Sequence, residues 1–331
     1  MPSFCISHKE DVDGVCSAAL IKAAFDISKV ILVDYANLIS RLEKVATMFD
    51  KIEQLFICDL GLSKKNEQKF AELLQRIASK GAEVIYIDHH DISKETLHAL
   101  KKADVTLIRT IEECTSIQVY TKYKKKLPDH AAFFAAMGAL TDYMEHKPLA
   151  SAIVSRFDRQ FLMLESTALS YMISSNQHDD PFLIKMVETL AKMKYPHDIK
   201  GGFDMAEKFA KKVANAVESI QESIVKLDNL AYAPSAIELS SSMVVNFVLG
   251  SSGKPAAMVY KLKEDIKSYV VSIRGSAECK VHLGRLTNDI ASELGGSGGG
   301  HDRACGAVIP KANLQKFIDI LNQKITSNKT D

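Results

Sequence analysis

The chain has 331 residues, 47% of them apolar and 25% charged, with a net charge of +1. Such a length holds about two domains, each able to bury a core, and the balanced charge excludes the strongly basic face used for long, nonspecific duplex binding. Cys5, Cys16, Cys58, Cys114, Cys279 and Cys305 form no CxxC pair, so neither a zinc knuckle nor a disulfide framework is expected; no apolar run reaches the roughly 18 residues of a membrane span. The opening MPSFCISHKED lacks the charged and apolar segments of a secretory leader, which places the protein in the cytoplasm as an expectation.

Residues 4–7, 29–34, 55–59, 83–88 and 104–110 are short runs rich in Val and Ile and read as strands. Helical spacing of apolar residues over 15–26, 37–49 and 63–79 separates the first four. Strand and helix in alternation predict a doubly wound, mostly parallel sheet with helices on both faces. From residue 113 to about 230 the chain reads as largely helical. It ends in DMAEKFAKKVANAVESIQESIVKLDNL, where Met205, Phe209, Val213, Val217, Ile220, Ile224 and Leu227 form an apolar stripe. Beyond AYAPSA, the segments SMVVNFVL, AAMVYKL and SYVVSIRG read as strands, followed by the helix LGRLTNDIASEL, a glycine loop and the helix LQKFIDILNQKI. A smaller α/β domain is therefore expected from residue 232, with 12 Lys and Arg against 9 Asp and Glu. That positive tilt suits an anionic ligand.

In an open parallel sheet, ligands bind outside the carboxyl ends of the strands. His8, Asp11 and Asp13 follow the first predicted strand, Asp59 ends the third, and Asp88, His89 and His90 end the fourth. Carboxylates brought together repel one another and raise each other's pKa unless cations neutralise them. Oxygen and imidazole donors without thiolates suit Mn2+, with Mg2+ or Co2+ able to substitute. So many donors exceed the needs of one ion, and two ions bridged by a shared carboxylate would use them all.

The segments HKEDVDG, ICDLG, IDHHD and LTDYME, in this order, resemble the four signatures of the DHH phosphoesterase family. GGSGGGHDRACGAVIP resembles the glycine-rich signature of its DHHA1 domain, and together the resemblance runs from residue 4 to about 322. It implies a DHH catalytic domain over 1–190, a helical connector over 191–231 and a DHHA1 substrate-binding domain over 232–331. It further implies that His8 and Asp11 bind one metal, that Asp13, His89 and Asp142 bind a second, and that Asp59 bridges the two. Asp88 would orient His89, and His90 would contact the phosphate or the leaving oxygen. Arg274 and His301 would hold the terminal nucleotide, with Ser297, Gly299 and Gly300 supplying loop contacts, since glycines let backbone N–H groups approach an anion closely. Two features depart from the family pattern. His8 and Asp11 are one residue further apart than in the His-x-Asp-x-Asp of many relatives, and Tyr143 stands where relatives place a small residue, narrowing the pocket.

The leading expectation is a Mn2+-dependent, RecJ-like hydrolase that activates water with two metals. It would remove nucleotides from an end of single-stranded DNA or RNA, or from short oligonucleotides, admitted to a cleft between the domains. A second reading is a small-nucleotide phosphodiesterase or phosphatase acting on a cyclic dinucleotide, its linear dimer or 3′-phosphoadenosine 5′-phosphate. A third, from another class, is a noncatalytic replication scaffold. A chain of this length has no room for a further oligonucleotide-binding domain, which favours short substrates or a replication or repair partner. A homodimer is compatible with the stripe over 205–227.

Overall fold

The computed structural model describes residues 2–48, 52–235, 239–300 and 302–325. The chain divides into two compact units, Met1–Phe209 and Ala210–Asp331.

In the first unit, β1 (Phe4–His8), α1 (Val12–Ala24), β2 (Lys29–Val33), α2 (Leu38–Met48), β3 (Gln54–Cys58), α3 (Lys64–Ala78), β4 (Glu83–Asp88), α4 (Lys94–Lys102) and β5 (Thr106–Arg109) alternate as expected. Their five strands lie in the order β2-β1-β3-β4-β5 and pair in parallel throughout. Side chains alternate between the faces of a strand. Phe4, Ile6, Leu55, Ile57, Val84 and Tyr86 thus join Leu38, Leu42, Phe70 and Leu74 in one core, while Cys5, Phe56, Cys58, Ile85 and Ile87 pack on the other face with α1. That second face is covered by α5 (Thr115–Tyr123), α6 (Ala131–Thr141), α7 (Pro148–Val154), α8 (Arg159–Ser175) and α9 (Asp180–Ala191). Helix α6, AAFFAAMGALT, is apolar all round because it is a core helix, buried from Ala131 to Ala139.

Helix α10 (Gly202–Ser223) spans the division between the units. The predicted stripe is cut short: Phe209, Val213 and Ile220 are buried, but Ile224 and Leu227 lie beyond the helix. An Asp228-Asn229 turn, closed by Leu227 N–H on the Leu230 carbonyl, reverses the chain between β6 (Val225–Lys226) and β7 (Leu230–Pro234).

The second unit continues with α11 (Ser241–Ser252), β8 (Ala256–Lys263), β9 (Ser268–Gly275), α12 (Leu283–Glu293), β10 (Ser297–Gly300), β11 (Ala304–Pro310) and α13 (Leu314–Lys324). Its strands lie in the order β10-β11-β9-β8-β7-β6, parallel only between β7 and β8. Two expectations are corrected. SMVVNFVL is not a strand but the body of α11: Ser240 caps the N-terminus through Met243 N–H, Gly253 ends the helix at φ +66, and Val244, Val245 and Val248 share its buried face. The glycine loop includes a strand, with Ser297–Gly300 paired antiparallel to β11 along the edge of the sheet.

Candidate metal centre

The strand order places a topological switch point between β1 and β3, since the helix after β1 packs on one face of the sheet and the helix after β3 on the other. Every predicted N-terminal site residue lies at this end. His8 is the last residue of β1, 3% exposed, with Nε2 3.5 Å from Asp11 Oδ2. Asp11 caps α1, accepting Gly14 N–H at Oδ1 (2.8 Å). Helix α1 begins three residues before the expected start, so Asp13 sits in its first turn rather than in a loop. There Asp13 accepts the backbone N–H groups of Thr115 (2.8 Å) and Ser116 (2.9 Å), at the start of α5. A helix N-terminus is a natural seat for a carboxylate.

Asp59 follows β3 with φ +57, a conformation that Asp tolerates better than most residues, and is 1% exposed. Its Oδ1 accepts the Thr115 hydroxyl at 3.1 Å and lies 3.4 Å from His89 Nε2. The same nitrogen lies 3.3 Å from Oδ2 of Asp142, which closes α6. Donor atoms of Asp13, His89 and Asp142, and those of Asp59, His89 and His90, lie within 4.8 Å of one another. Four separate stretches of sequence thus meet at one sheet end.

One assignment is corrected. Asp88 does not meet His89: its carboxylate accepts the backbone N–H of His90 (3.0 Å) and pairs with His90 Nδ1 (2.9 Å). The reason is the strand period, since residues two apart share a face, and His89 turns to the other side, toward Asp59 and Asp142. Tyr143, expected to narrow the pocket, is 74% exposed.

The electrostatics are those of an unbalanced cluster. Burial, followed by the charges of Asp11 and Asp13, pushes the Asp59 carboxyl well above its ordinary range. Burial and Asp13 push Asp142 up to about 7. Burial opposes a charged His90, but the hydrogen bond and charge of Asp88 outweigh it and raise that imidazole. Burial also raises the nearby Cys16, Cys58 and Cys114 thiols, which removes thiolates from the donor set. Among the described residues, Asp59 Oδ2, Asp142 Oδ2 and His8 Nδ1 are buried and make no hydrogen bond. Buried polar atoms are almost always satisfied, so such orphans beside raised carboxylates fit divalent cations held by oxygen and imidazole.

Sequence reasoning missed Thr115 and Ser116, whose N–H groups hold Asp13, and Gln118, whose amide donates to the carbonyls of Asp88, Thr110 and Glu113. A Ser/Thr pair opening a helix is a visible signal for an N-terminus, but not for the partner it faces. It also missed Gly61 and Gly138, where a Cβ would collide with His90 and with Asp13 and Ser116 respectively.

In the second unit, Arg274 on β9 pairs in register with Ala304, and Gly300 on β10 with the next residue, Cys305. Arg274 and the glycines therefore reach the same end of that sheet. The guanidinium donates to Ser242 Oγ (2.6 Å) and to the Ile273 carbonyl (3.0 Å). Gly299 and Gly300 adopt φ +153 and +141, and Ser297 is exposed. His301 lies outside the described residues.

Among the described residues no helix is long and apolar enough to cross a membrane. The family profile described as "DHH family, N-terminal domain" matches residues 3–144, and that of the "DHHA1 domain" matches residues 230–327. The chain is 27% identical over 280 residues to the uncharacterized protein MJ0988 of Methanocaldococcus jannaschii, covering 82% of this chain and 72% of that one. Among solved structures it resembles the pGpG-specific phosphodiesterase PggH from Vibrio cholerae, with a TM-score of 0.61, 13% identity, and 97% and 98% of the two chains covered. It also resembles RecJ from Thermus thermophilus in complex with Mn2+, with a TM-score of 0.60 and 13% identity, over 97% of this chain and 51% of that one. These two likenesses are of fold. Carrying both domains in order, the chain belongs to the DHH phosphoesterase family, with a DHHA1 domain in its C-terminal unit.

Proposed function

We propose that the protein is a Mn2+-dependent phosphodiesterase that hydrolyses nucleotides from an end of single-stranded DNA or RNA, or from short oligonucleotides. The observation that carries this reading is the convergence of Asp13, Asp59, His89, His90 and Asp142, with Asp59 Oδ2 buried and without a hydrogen bond among the described residues. Asp13, His89 and Asp142 would hold one cation, His8 and Asp11 another, and Asp59 both; Mg2+ or Co2+ would serve in place of Mn2+. When bound, such a pair supplies water of lowered pKa and neutralises charge on a phosphoryl group.

The chain's own residues do the rest. The N–H groups of Thr115 and Ser116 and the Thr115 hydroxyl hold Asp13 and Asp59 in place. A carboxylate only accepts, so Asp88 keeps the Nδ1 proton of His90 directed toward itself and turns Nε2 outward, toward the phosphate or the leaving oxygen. Arg274, with its planar fork of donors, would bind the phosphate of the terminal nucleotide, helped by Ser297, Gly299, Gly300 and His301.

A second reading, hydrolysis of a cyclic or linear dinucleotide, is favoured by the net charge of +1, which provides no long electrostatic track for a strand. Turnover of labelled 20-mers against dinucleotides in Mn2+ separates the two. Activity on both lengths supports the exonuclease reading, and activity on dinucleotides alone defeats it. Failure of the protein to take up Mn2+ in titration calorimetry would defeat both and leave a scaffold.

A further inference from the structure

We infer that Tyr35 is a positioning residue that fixes two imidazoles of the centre, His8 and His90. The inference rests on the phosphodiesterase reading above. Tyr35 lies two residues beyond β2, beside β1, where Val33 pairs with His8. Its ring stacks on His8, with centroids 4.5 Å apart and planes 27° from parallel, and its hydroxyl lies 3.4 Å from His90 Nε2. One side chain therefore ties the end of β1 to the segment that follows β4, two strands separated in the sheet by β3.

His90 is closed on its other sides. Nδ1 is occupied by Asp88, the ring lies 4.3 Å from that of His89, and a Cβ at Gly61 would fall 2.8 Å from His90 Cγ. Nε2 is left as the ring nitrogen facing outward, and the Tyr35 hydroxyl is what faces it. A hydroxyl both donates and accepts, so it serves the neutral ring by donating to Nε2 and the charged ring by accepting from it. Phenylalanine would do neither. At 3.4 Å the contact is long, as hydrogen bonds at catalytic sites commonly are before substrate arrives.

His8 needs the stack for a different reason. Among the described residues its Nδ1 is buried without a hydrogen-bond partner, and Nε2 lies 3.5 Å from Asp11 and 3.9 Å from Glu10, so the stacked phenol ring is a contact that fixes its plane. Core packing does not account for a tyrosine here, since Tyr35 is 42% exposed.

The test compares Tyr35→Phe, which keeps the stack and removes the hydroxyl, with Tyr35→Ala, which removes both. In Mn2+-free full-length protein, ¹⁵N spectra of the histidine rings should show His90 Nε2 shifted in Tyr35→Phe with His8 unchanged. In Tyr35→Ala both rings should shift. With Mn2+ and a dinucleotide, Tyr35→Phe should lower kcat about tenfold at constant KM. An unmoved His90 signal or a wild-type kcat in Tyr35→Phe overturns the role of the hydroxyl, and an unmoved His8 signal in Tyr35→Ala overturns the stack. A wild-type chain inactive on every phosphodiester would overturn the proposed function instead, while the ring spectra still decide the contacts of Tyr35.

Discussion

In the N-terminal unit all five strands run in one direction, whereas the C-terminal sheet has one parallel pair and ends on an edge strand, SGGG. Parallel strands send every carboxyl end to the same side, so residues as distant in sequence as His8, Asp59 and His89 meet there. Antiparallel strands send neighbouring ends to opposite sides, and here Arg274 and the β10 glycines come to one end across β11. The first arrangement collects charge that must be neutralised, and the second presents one guanidinium beside open backbone. Substitutions in the first unit should therefore act on the chemical step, and those in the second on substrate binding.

The largest effect is expected for Asp59→Ala. It would remove the one carboxylate shared by both cations, lowering kcat/KM by about 10³-fold or more. The Mn2+-free protein should lose little stability, because alanine at φ +57 and the lost Thr115 hydrogen bond are offset by removal of a carboxyl that burial and its neighbours hold in an unfavourable environment. Turnover assays and thermal melts check the two halves; retained turnover contradicts the bridging role.

Gly138→Ala should come next. A Cβ there would lie 2.5 Å from Asp13 Oδ1 and closer still to Ser116 Oγ, so the Asp13 carboxylate and the Ser116 side chain must shift. Mn2+ affinity should fall about ten- to a hundredfold by calorimetry. Unchanged affinity would mean that this cradle is not what holds Asp13 for the metal.

Why one half of this comparison was legible and the other less so follows from particular residues. Strands such as FCISH, QLFIC and EVIYID are buried on both faces, so they read as continuous apolar runs, and the acidic and imidazole residues that end them stand out. In the second unit β10 contains no β-former, and its glycines are strand residues only because β11 pairs with them. Conversely, Val244, Val245 and Val248 imitate a strand, and the signals that made α11 a helix were Ser240 and Gly253 at its ends. The pairing of Asp88 with His90, and of Asp13 with α5, was not legible, because nothing in a one-dimensional pattern says which way a side chain turns once its strand has ended.

Arg274→Ala sharpens the contrast from the other side. The substitution leaves every group of the N-terminal centre in place and removes a forked donor, so KM should rise about tenfold while kcat stays within about twofold. A fall in kcat at constant KM would place Arg274 in the chemistry and erase the division of labour.

The smallest effect concerns pH without metal, and its sign separates the two units. Asp142 titrates near 7 when folded and near 3.9 when unfolded. Between about pH 7 and about pH 4 the folded chain therefore holds a proton that the unfolded chain has released, and stability rises as pH falls through that window. The raised pKa values of Asp59 and His90 act in the same direction. Burial works against Asp34 and Glu67, but hydrogen bonds from Asn37, and from Ser93 and Thr96, hold both carboxyls low, so their losses come at more acidic pH. The gain should be on the order of 1 kcal/mol after solvent screening. Saturating Mn2+ competes with those protons and should reverse the slope. Hydrogen exchange at pH 5 and 7.5 would read this in α6 and β3, with β9 and β11 as the internal comparison. A flat metal-free profile in α6 would mean that Asp142 does not bear the repulsion of the cluster, and equal slopes in β9 would mean that the pH response is not local to the metal centre.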